Sequence, residues 1–311
     1  MPCQTAFVSP PAGRYAPSPS GDLHVGNLRT ALLAWLFARS QGRPFRMRME
    51  DLDRVEPGAA QRQLGDLRAL GLDWDEPVMW QSDRLDTYQT VLAELTAQGR
   101  TYECFCSRRD ILEAPSAPHA PPGAYPGTCR DLNSRQRADR ARTRPAALRL
   151  RAGVREAEVV DDYAGHYRAM VDDLVLRRND GIPAYNLVVV VDDDAQQVGQ
   201  VVRGDDLLAS APRQAYLAGV LGLPVPRYAH VPMAVNRDGV RLAKRDGAVT
   251  MADLAPLGWT PATVLSLLAR SAGLAGAGEP VDAPALLARF DPALIPREPW
   301  VVDTTALAGS P

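Results

Sequence analysis

The stretch "RYAPSPSGDLHVGNLRTALLAWLFARS", Arg14 to Ser40, constrains the fold of this chain more than any other. Its first half carries Pro17, Pro19, Gly21, His24 and Gly26, and its second half is an unbroken run of helix formers. Residues 6–20 read as a short strand leading into a Pro/Ser loop, and "TALLAWLFARSQG" reads as a helix stopped near Gly42. An α/β nucleotide enzyme needs such an arrangement. Its first strand ends in a loop that delivers phosphates to a helix N-terminus, where free N–H groups and the helix dipole favour negative charge. In that reading Gly26 lets a flat base or ribose approach the backbone, where a Cβ would collide. His24 offers a ring N–H to phosphate oxygens. No Gly-Lys-Ser follows the glycines, so this is not a Walker loop.

The pattern beyond this loop extends the same architecture. "RPFRMRMEDLD" alternates apolar and basic residues from Phe45 to Met49, as a strand does. "EPGAAQRQLGDLRALGLDW" and "LDTYQTVLAELTAQGR" read as helices, the second with Tyr88, Val91, Leu92 and Leu95 on one face and Gly99 at its end. The order strand–helix–strand–helix–helix predicts an α/β domain with a parallel sheet. "EAPSAPHAPPGAYPG" is a loop or insertion boundary. "AYNLVVVVDDD" predicts a strand buried on both faces in the middle of the sheet, because four successive valines favour extended backbone. "SAPRQAYLAGVLGL" predicts a helix capped by Ser210, and a further helix, "PATVLSLLARSAGL", precedes a short tail.

Composition narrows the function classes. The opening "MPCQTAFVSPPAG" has no basic region followed by an apolar run, and no stretch approaches the ~20 apolar residues that span a bilayer. A soluble cytoplasmic protein is expected. Four cysteines in 311 residues do not make a disulfide scaffold. The net charge of -2 argues against bulk nucleic-acid binding, yet Arg130 to Arg155 is rich in arginine, with Asp131 and Asp139 the acids within it. Such a local basic face suits an RNA contact made at one place through phosphates. Among 35 basic residues the single lysine is Lys244, in "RLAKR". A lysine that escapes so strong an arginine bias suggests a need for a compact ammonium on a flexible stem. Cys104 and Cys106 in "ECFCSR", with Cys129 in "AYPGTCR", form a zinc pattern whose fourth ligand the residues leave open between Tyr125 and His119.

"PSPSGDLHVGNLRTAL" resembles the HIGH-type signature of class I aminoacyl-tRNA synthetases in the form used by the glutamyl-tRNA synthetase group, with Asn27 where the second histidine would stand. "RLAKR" resembles the partner signature KMSKS, with Arg241 for its first lysine and Ala243 for its serine. The resemblance covers about residues 13–255. It implies a Rossmann-like α/β catalytic domain with an inserted zinc-containing subdomain and a small helical C-terminal part. The expected division is 1–100 and 160–235 for the catalytic domain, 101–159 for the zinc subdomain, and 236–311 for the KMSKS-like loop and helical region.

The resemblance also implies roles. Lys244 and His24 would be catalytic, and His24, Gly26, Asn27 and Lys244 would bind ATP, taken with Mg²⁺. L-Glutamate would be held by Arg14, Ala16, Ser18, Glu50, Tyr185 and Arg203, the two arginines and the tyrosine reading its side-chain carboxylate and Glu50 its ammonium. The chemistry implied is attack of the glutamate carboxylate on the α-phosphorus of ATP, giving an aminoacyl-adenylate. Only about 67 residues follow Lys244, too few for an anticodon-binding region. This brevity and the Tyr-x-x-x-Cys ending resemble the glutamyl-queuosine-tRNA(Asp) synthetases, whose zinc ligands are Cys, Cys, Tyr and Cys. They imply structural Zn²⁺ on Cys104, Cys106, Tyr125 and Cys129, a monomer, and transfer of glutamate to queuosine in the tRNA(Asp) anticodon. The alternatives are a truncated glutamyl-tRNA synthetase that charges an acceptor end, and a non-catalytic zinc protein that binds RNA or nucleotide.

Overall fold

The computed structural model describes residues 10–113, 124–242 and 249–307. The chain begins with β1 (Ala12–Tyr15), α1 (Val25–Arg39), β2 (Phe45–Met49), α2 (Ala59–Ala69) and β3 (Met79–Trp80). There follow α3 (Leu85–Ala97), β4 (Thr101–Cys104), α4 (Arg108–Glu113) and α5 (Ser134–Ala141). Next come β5 (Ala147–Leu150), β6 (Glu156–Asp161), β7 (Gly165–Met170), β8 (Val175–Arg177), α6 (Tyr185–Ala195), β9 (Val198–Gly204), α7 (Ala211–Leu221), β10 (Arg227–Val231) and β11 (Ala234–Val235). The last described elements are α8 (Met251–Leu254), α9 (Pro261–Ser271), α10 (Ala283–Ala288), β12 (Trp300–Val301) and α11 (Thr304–Leu307).

A seven-stranded sheet runs in the order β3-β2-β1-β9-β10-β6-β7. All its pairings are parallel except β6 with β7, a hairpin at one edge. From β1 the chain moves outward to β2 on one side, while β9 lies on the other. That reversal makes a crevice beyond the strands' C-terminal ends, the place where open α/β sheets bind ligands. A small antiparallel sheet, β4-β5-β8, stands apart. The two sheets interleave: β6 and β7 join the large sheet before β8 completes the small one. The boundary expected at 159/160 therefore cuts through β6, because that strand pairs with β10.

Alternation along the strands gives the sheet two different faces. On one, Tyr15, Phe45, Met47, Met49, Val202, Ala229 and Val231 are buried in a large core with α1 and α9. α1 comes so close to β1 that a Cβ on Gly13 would lie 2.7 Å from the Ala38 Cβ. On the other face α7 packs Ala211 and Ala215 against Val159, Val198, Val201 and Tyr228.

α6 corrects the reading of "AYNLVVVVDDD" as a central strand. The segment is a helix in which Leu187 to Asp193 are all buried. Its apolar residues enclose a second core with Tyr88, Leu92 and Leu95 of α3, Leu148 and Leu150 of β5, Leu174, Leu176 of β8, and Leu217 of α7. A helix covered on every side is apolar all round, so its sequence loses the 3.6-residue period that identifies a surface helix. The β propensity of valine is weaker than this packing. The strand in the middle of the sheet is β9, "VGQVVRG". Ser210 does precede α7 but its side chain makes no capping bond, because a short 3-10 turn, Asp205–Ser210, already leads into the helix.

The acids that end the valine run are also buried, and they tie the layers together. Arg48 of β2 is wholly buried and donates from Nη1 to Asp193 Oδ1 and to Gln196 Oε1, both at 2.9 Å. Asp192 accepts from Gln81 Nε2 (2.9 Å), Arg84 Nε (2.8 Å) and the Tyr88 hydroxyl (2.9 Å), which pins α3 to α6. Removing one partner of such a buried ion pair strands the other without compensation. Arg48→Met should therefore lower the unfolding free energy by about 3–5 kcal/mol, read as a reduced urea midpoint. Stability within about 1 kcal/mol of wild type would show that the pairing carries no such role.

Candidate active site

The β1–α1 loop opens the crevice. His24 is the N-cap of α1, and its Nδ1 accepts from Gly26 N (3.1 Å) and Asn27 N (3.3 Å). An Nδ1 that accepts leaves the ring proton on Nε2, where it can donate to a ligand. Burial, reinforced by the nearby Arg241 charge, lowers the His24 pKa to about 4, so the ring is neutral near pH 7. Gly26 has a packing reason independent of any ligand: a Cβ there would lie 2.9 Å from the Ala234 Cβ and 3.0 Å from the His24 ring. The Asn27 carbonyl accepts from the Tyr15 hydroxyl at 3.2 Å. Pro17 O accepts from Glu50 N (3.0 Å) and Ser18 O accepts from Gln63 Nε2 (3.1 Å), so β2 and α2 fix the path of the loop past Ala16 and Ser18. The Ser18 side chain lies on an exposed residue, and Ala16 is half-buried.

The face of the sheet beneath α6 carries the charged groups. Arg14 is buried and donates to Val202 O (3.3 Å), with Nε 3.6 Å from Asp193. Burial lowers its pKa, while Asp193 works in the other direction. Arg203, on β9, places Nη1 3.5 Å from the Tyr185 hydroxyl. Glu50, just beyond β2, lies 3.6 Å from Arg48 Nη2; burial raises its pKa against the pull of Arg48 and Arg14. Arg203, Glu50 and Arg14 all stand close enough to Tyr185 to perturb its ionisation, burial being the larger effect. Tyr185 begins α6 and is 41% exposed. The cluster offers two guanidinium groups and a phenol to an anion, with one carboxylate nearby for a cation, as an acidic amino acid requires.

Lys244, Ala243 and His119 lie outside the described residues. The described flanks of the "RLAKR" segment meet the N-terminal end of α1. Leu242 N donates to Ala234 O (3.4 Å), and Val25 N donates to Val249 O (2.9 Å) beside a bridge between His24 and Thr250. Arg241 pairs with Asp206 at 2.7 Å.

Cys104, Cys106 and Cys129 place their Sγ atoms within 4.8 Å of one another. Cys106 and Cys129 are 3.6 Å apart, close to the edge of about 3.8 Å in a tetrahedron with metal–sulfur bonds of about 2.3 Å. The Tyr125 hydroxyl lies 3.3 Å from Cys104 Sγ and accepts from Cys129 N at 2.8 Å. Arg149 stacks on the Tyr125 ring at 3.7 Å, and Arg140 reaches Cys129 Sγ at 3.4 Å. Burial raises the Cys104 pKa, but hydrogen bonds, the strongest from Tyr125, bring it below the ordinary thiol value. Burial and the Cys104 charge push Cys106 up to about 12. The three thiols with the Tyr125 hydroxyl form a donor set that fits one borderline-soft divalent metal.

The basic segment is less free than its composition suggests. Arg130 pairs with Asp173, Arg144 with Asp110, and Arg149 donates to Asp173 O. Sequence reasoning did not single out Arg48, Asp192, Asp193, Asp161 or His230. His230 stood out only as one of four histidines, set in the apolar run "YAHVPMAV".

The chain is similar to proteins of one family along nearly its whole length. The family described as tRNA synthetases class I (E and Q), catalytic domain, matches residues 12–308. A Glutamyl-Q tRNA(Asp) synthetase of Nocardia farcinica is 64% identical over 297 residues, covering 95% of this chain and 94% of that protein. One from Symbiobacterium thermophilum is 45% identical, covering 95% and 97%. A glutamate--tRNA ligase of Geobacter sulfurreducens is 42% identical over 83% of this chain but only 56% of its own. Among solved structures, a glutamate tRNA ligase from Elizabethkingia meningosepticum superposes with a TM-score of 0.78 at 23% identity, covering 95% of this chain and 68% of that one, a likeness of fold. The chain belongs to the catalytic-domain family of the class I tRNA synthetases for glutamate and glutamine.

Proposed function

We propose that this chain activates L-glutamate with ATP and transfers it to queuosine in the anticodon of tRNA(Asp). The observation that carries this reading is the identity of 64% to a Glutamyl-Q tRNA(Asp) synthetase along nearly the whole of both chains. The two guanidinium groups beside Tyr185 and Glu50 support glutamate as the amino acid. Arg14, Arg203 and Tyr185 hold its side-chain carboxylate and Glu50 its ammonium. An ammonium beside Glu50 would favour the charged form that burial disfavours. Ala16 and Ser18 border the site on the loop.

With the side chain and ammonium held, the α-carboxylate attacks the α-phosphorus of ATP, which enters as its Mg²⁺ complex. Pyrophosphate leaves and glutamyl-adenylate forms. Negative charge gathers on the phosphates in that step, so the chain contributes mainly positioning and electrostatic stabilisation. The positive end of the α1 dipole, the His24 Nε2–H and the Lys244 ammonium supply it. A hydroxyl of the queuosine ring then attacks the adenylate carbonyl, an ester forms, and AMP leaves. The exposed arginines around α5 offer a contact for the tRNA phosphates.

Zn²⁺ would be held by Cys104, Cys106, Tyr125 and Cys129 and would order the small sheet and the loops around it. The division into a catalytic domain (1–100 and 160–235), a metal subdomain (101–159) and a C-terminal region (236–311) belongs to the same reading, as do a cytoplasmic location and a monomeric state. No described helix is long and apolar enough to cross a membrane.

Labelled glutamate should transfer to tRNA(Asp) carrying queuosine, and not to the same tRNA carrying guanosine at that position. Transfer should survive removal of the terminal adenosine. Its loss on that removal, or efficient charging of tRNA(Glu), would hand the case to a truncated glutamyl-tRNA synthetase.

Lys244→Ala should lower glutamate-dependent pyrophosphate exchange roughly ten- to thousandfold, with incomplete rescue by Lys244→Arg, whose planar fork places its donors differently. Near-normal exchange would disconnect "RLAKR" from the chemistry.

Metal analysis should find about one zinc per chain. Cys104→Ser should lose it, and unchanged zinc in that variant would refute the ligand set. Retention of zinc in Tyr125→Phe together with its loss in His119→Ala would make His119 the fourth ligand.

A further inference from the structure

Three adjacent parallel strands, β9, β10 and β6, each bring one polar side chain to the same face near their C-terminal ends. Arg203 and His230 are direct register partners across β9 and β10. Asp161 ends β6, beside Tyr228 of β10. Arg203 Nε donates to His230 Nε2 at 2.9 Å, and His230 Nδ1 lies 2.6 Å from Asp161 Oδ2. The contact to Arg203 fixes the tautomer: Nε2 accepts, so the ring proton sits on Nδ1 and is donated to Asp161. His230 is 3% exposed, and Asp161 is 2% exposed.

Asp161 has no spare acceptor for Arg203. Oδ2 also accepts from His230 N (3.1 Å), and Oδ1 accepts from Tyr163 N (2.8 Å) and Ala164 N (2.9 Å) at the β6–β7 turn. The carboxylate is thus fixed by the turn, and it fixes the imidazole.

We infer that His230, oriented by Asp161, is a positioning residue that anchors Arg203 through a neutral acceptor and so keeps the guanidinium charge available for the anionic side chain of the amino-acid substrate. Arg48 makes the contrast. Its Nη1 lies 2.9 Å from Asp193, its Nη2 3.6 Å from Glu50 and its Nε 3.9 Å from Asp192, so three carboxylates offset its charge. A carboxylate in direct contact with Arg203 would do the same and would compete with the substrate. Imidazole satisfies Nε without adding a charge. Among the described residues the Nη groups have only longer contacts, 3.5 Å to the Tyr185 hydroxyl and 3.4 Å to Leu207 O. They are the edge of the fork left for bidentate binding. Burial, with the Arg203 charge, lowers the His230 pKa despite Asp161, which agrees with a neutral ring.

This inference rests on glutamate as substrate, and steady-state pyrophosphate exchange separates the two. Exchange by the wild-type protein that does not depend on glutamate overturns the functional reading and this inference with it. Given glutamate-dependent exchange, His230→Leu should raise the KM for glutamate roughly ten- to hundredfold, the range for losing a hydrogen bond to a charged group, with the KM for ATP unchanged. His230→Gln, a neutral acceptor of similar reach, should restore the glutamate KM to within about threefold of wild type. His230→Glu, a charged acceptor in the same place, should raise it at least about tenfold. The Gln and Glu variants decide the matter even if His230→Leu does not fold. Equal glutamate KM values in these two variants, or a parallel rise in the KM for ATP, would overturn the role assigned to His230.

Discussion

Three guanidinium groups, on Arg14, Arg48 and Arg203, share the face of the sheet that α6 covers, and the architecture depends on keeping them there. Like charges this close repel strongly in a poorly solvated interior. Asp192 and Asp193 supply the counter-charge from α6, reaching Arg48 directly and Arg14 at 3.6 Å. The valine run that precedes them fixes their depth, because Leu187 to Val191 are buried among α3, α7 and the small sheet. Fold and site are therefore one packing problem: the helix that completes a hydrophobic core also carries the acids that make a cationic pocket tolerable.

The three arginines are not equivalent. Arg48 is matched by carboxylates and serves the interior. Arg14 shares Asp193 with it. Among the described residues Arg203 has only neutral acceptors in hydrogen-bonding range, His230, Tyr185 and Leu207 O. Charge compensation falls off along the row from β2 through β1 to β9. The least compensated guanidinium sits beside Tyr185, where under the proposed function a substrate carboxylate would supply the missing charge. Under the proposed function such a pocket would favour glutamate over glutamine, whose amide cannot provide the missing charge.

The small sheet is held to the large one by polar contacts as well as by the shared core. Arg213 of α7 reaches Asp172 (3.1 Å), whose other oxygen accepts from Tyr125 N (3.0 Å), and the Tyr216 hydroxyl accepts from Gly153 N (2.7 Å). The thiol cluster is thus connected through Tyr125 and Asp172 to the helix that packs against β6, β9 and β10. The metal pattern and the catalytic pattern lie far apart in chemistry but close in the chain of contacts.

The sequence alone determined the strand–loop–helix unit at Arg14 to Ser40, the alternation of β2, the apolar face of α3 and the thiol triad. Those features are local, because they depend on glycine and proline geometry, on residue period, or on a spacing of a few positions. Tertiary structure alone decided that "LVVVVDDD" is a helix, since a segment buried on all sides has no period to read. It also decided that Gly26 is required by Ala234, and that His230 stands between Arg203 and Asp161. Those three groups are 27 and 69 residues apart in the pairs that touch. Only parallel strand register brings them into one row, and no pattern within a single strand records which strand will be its neighbour.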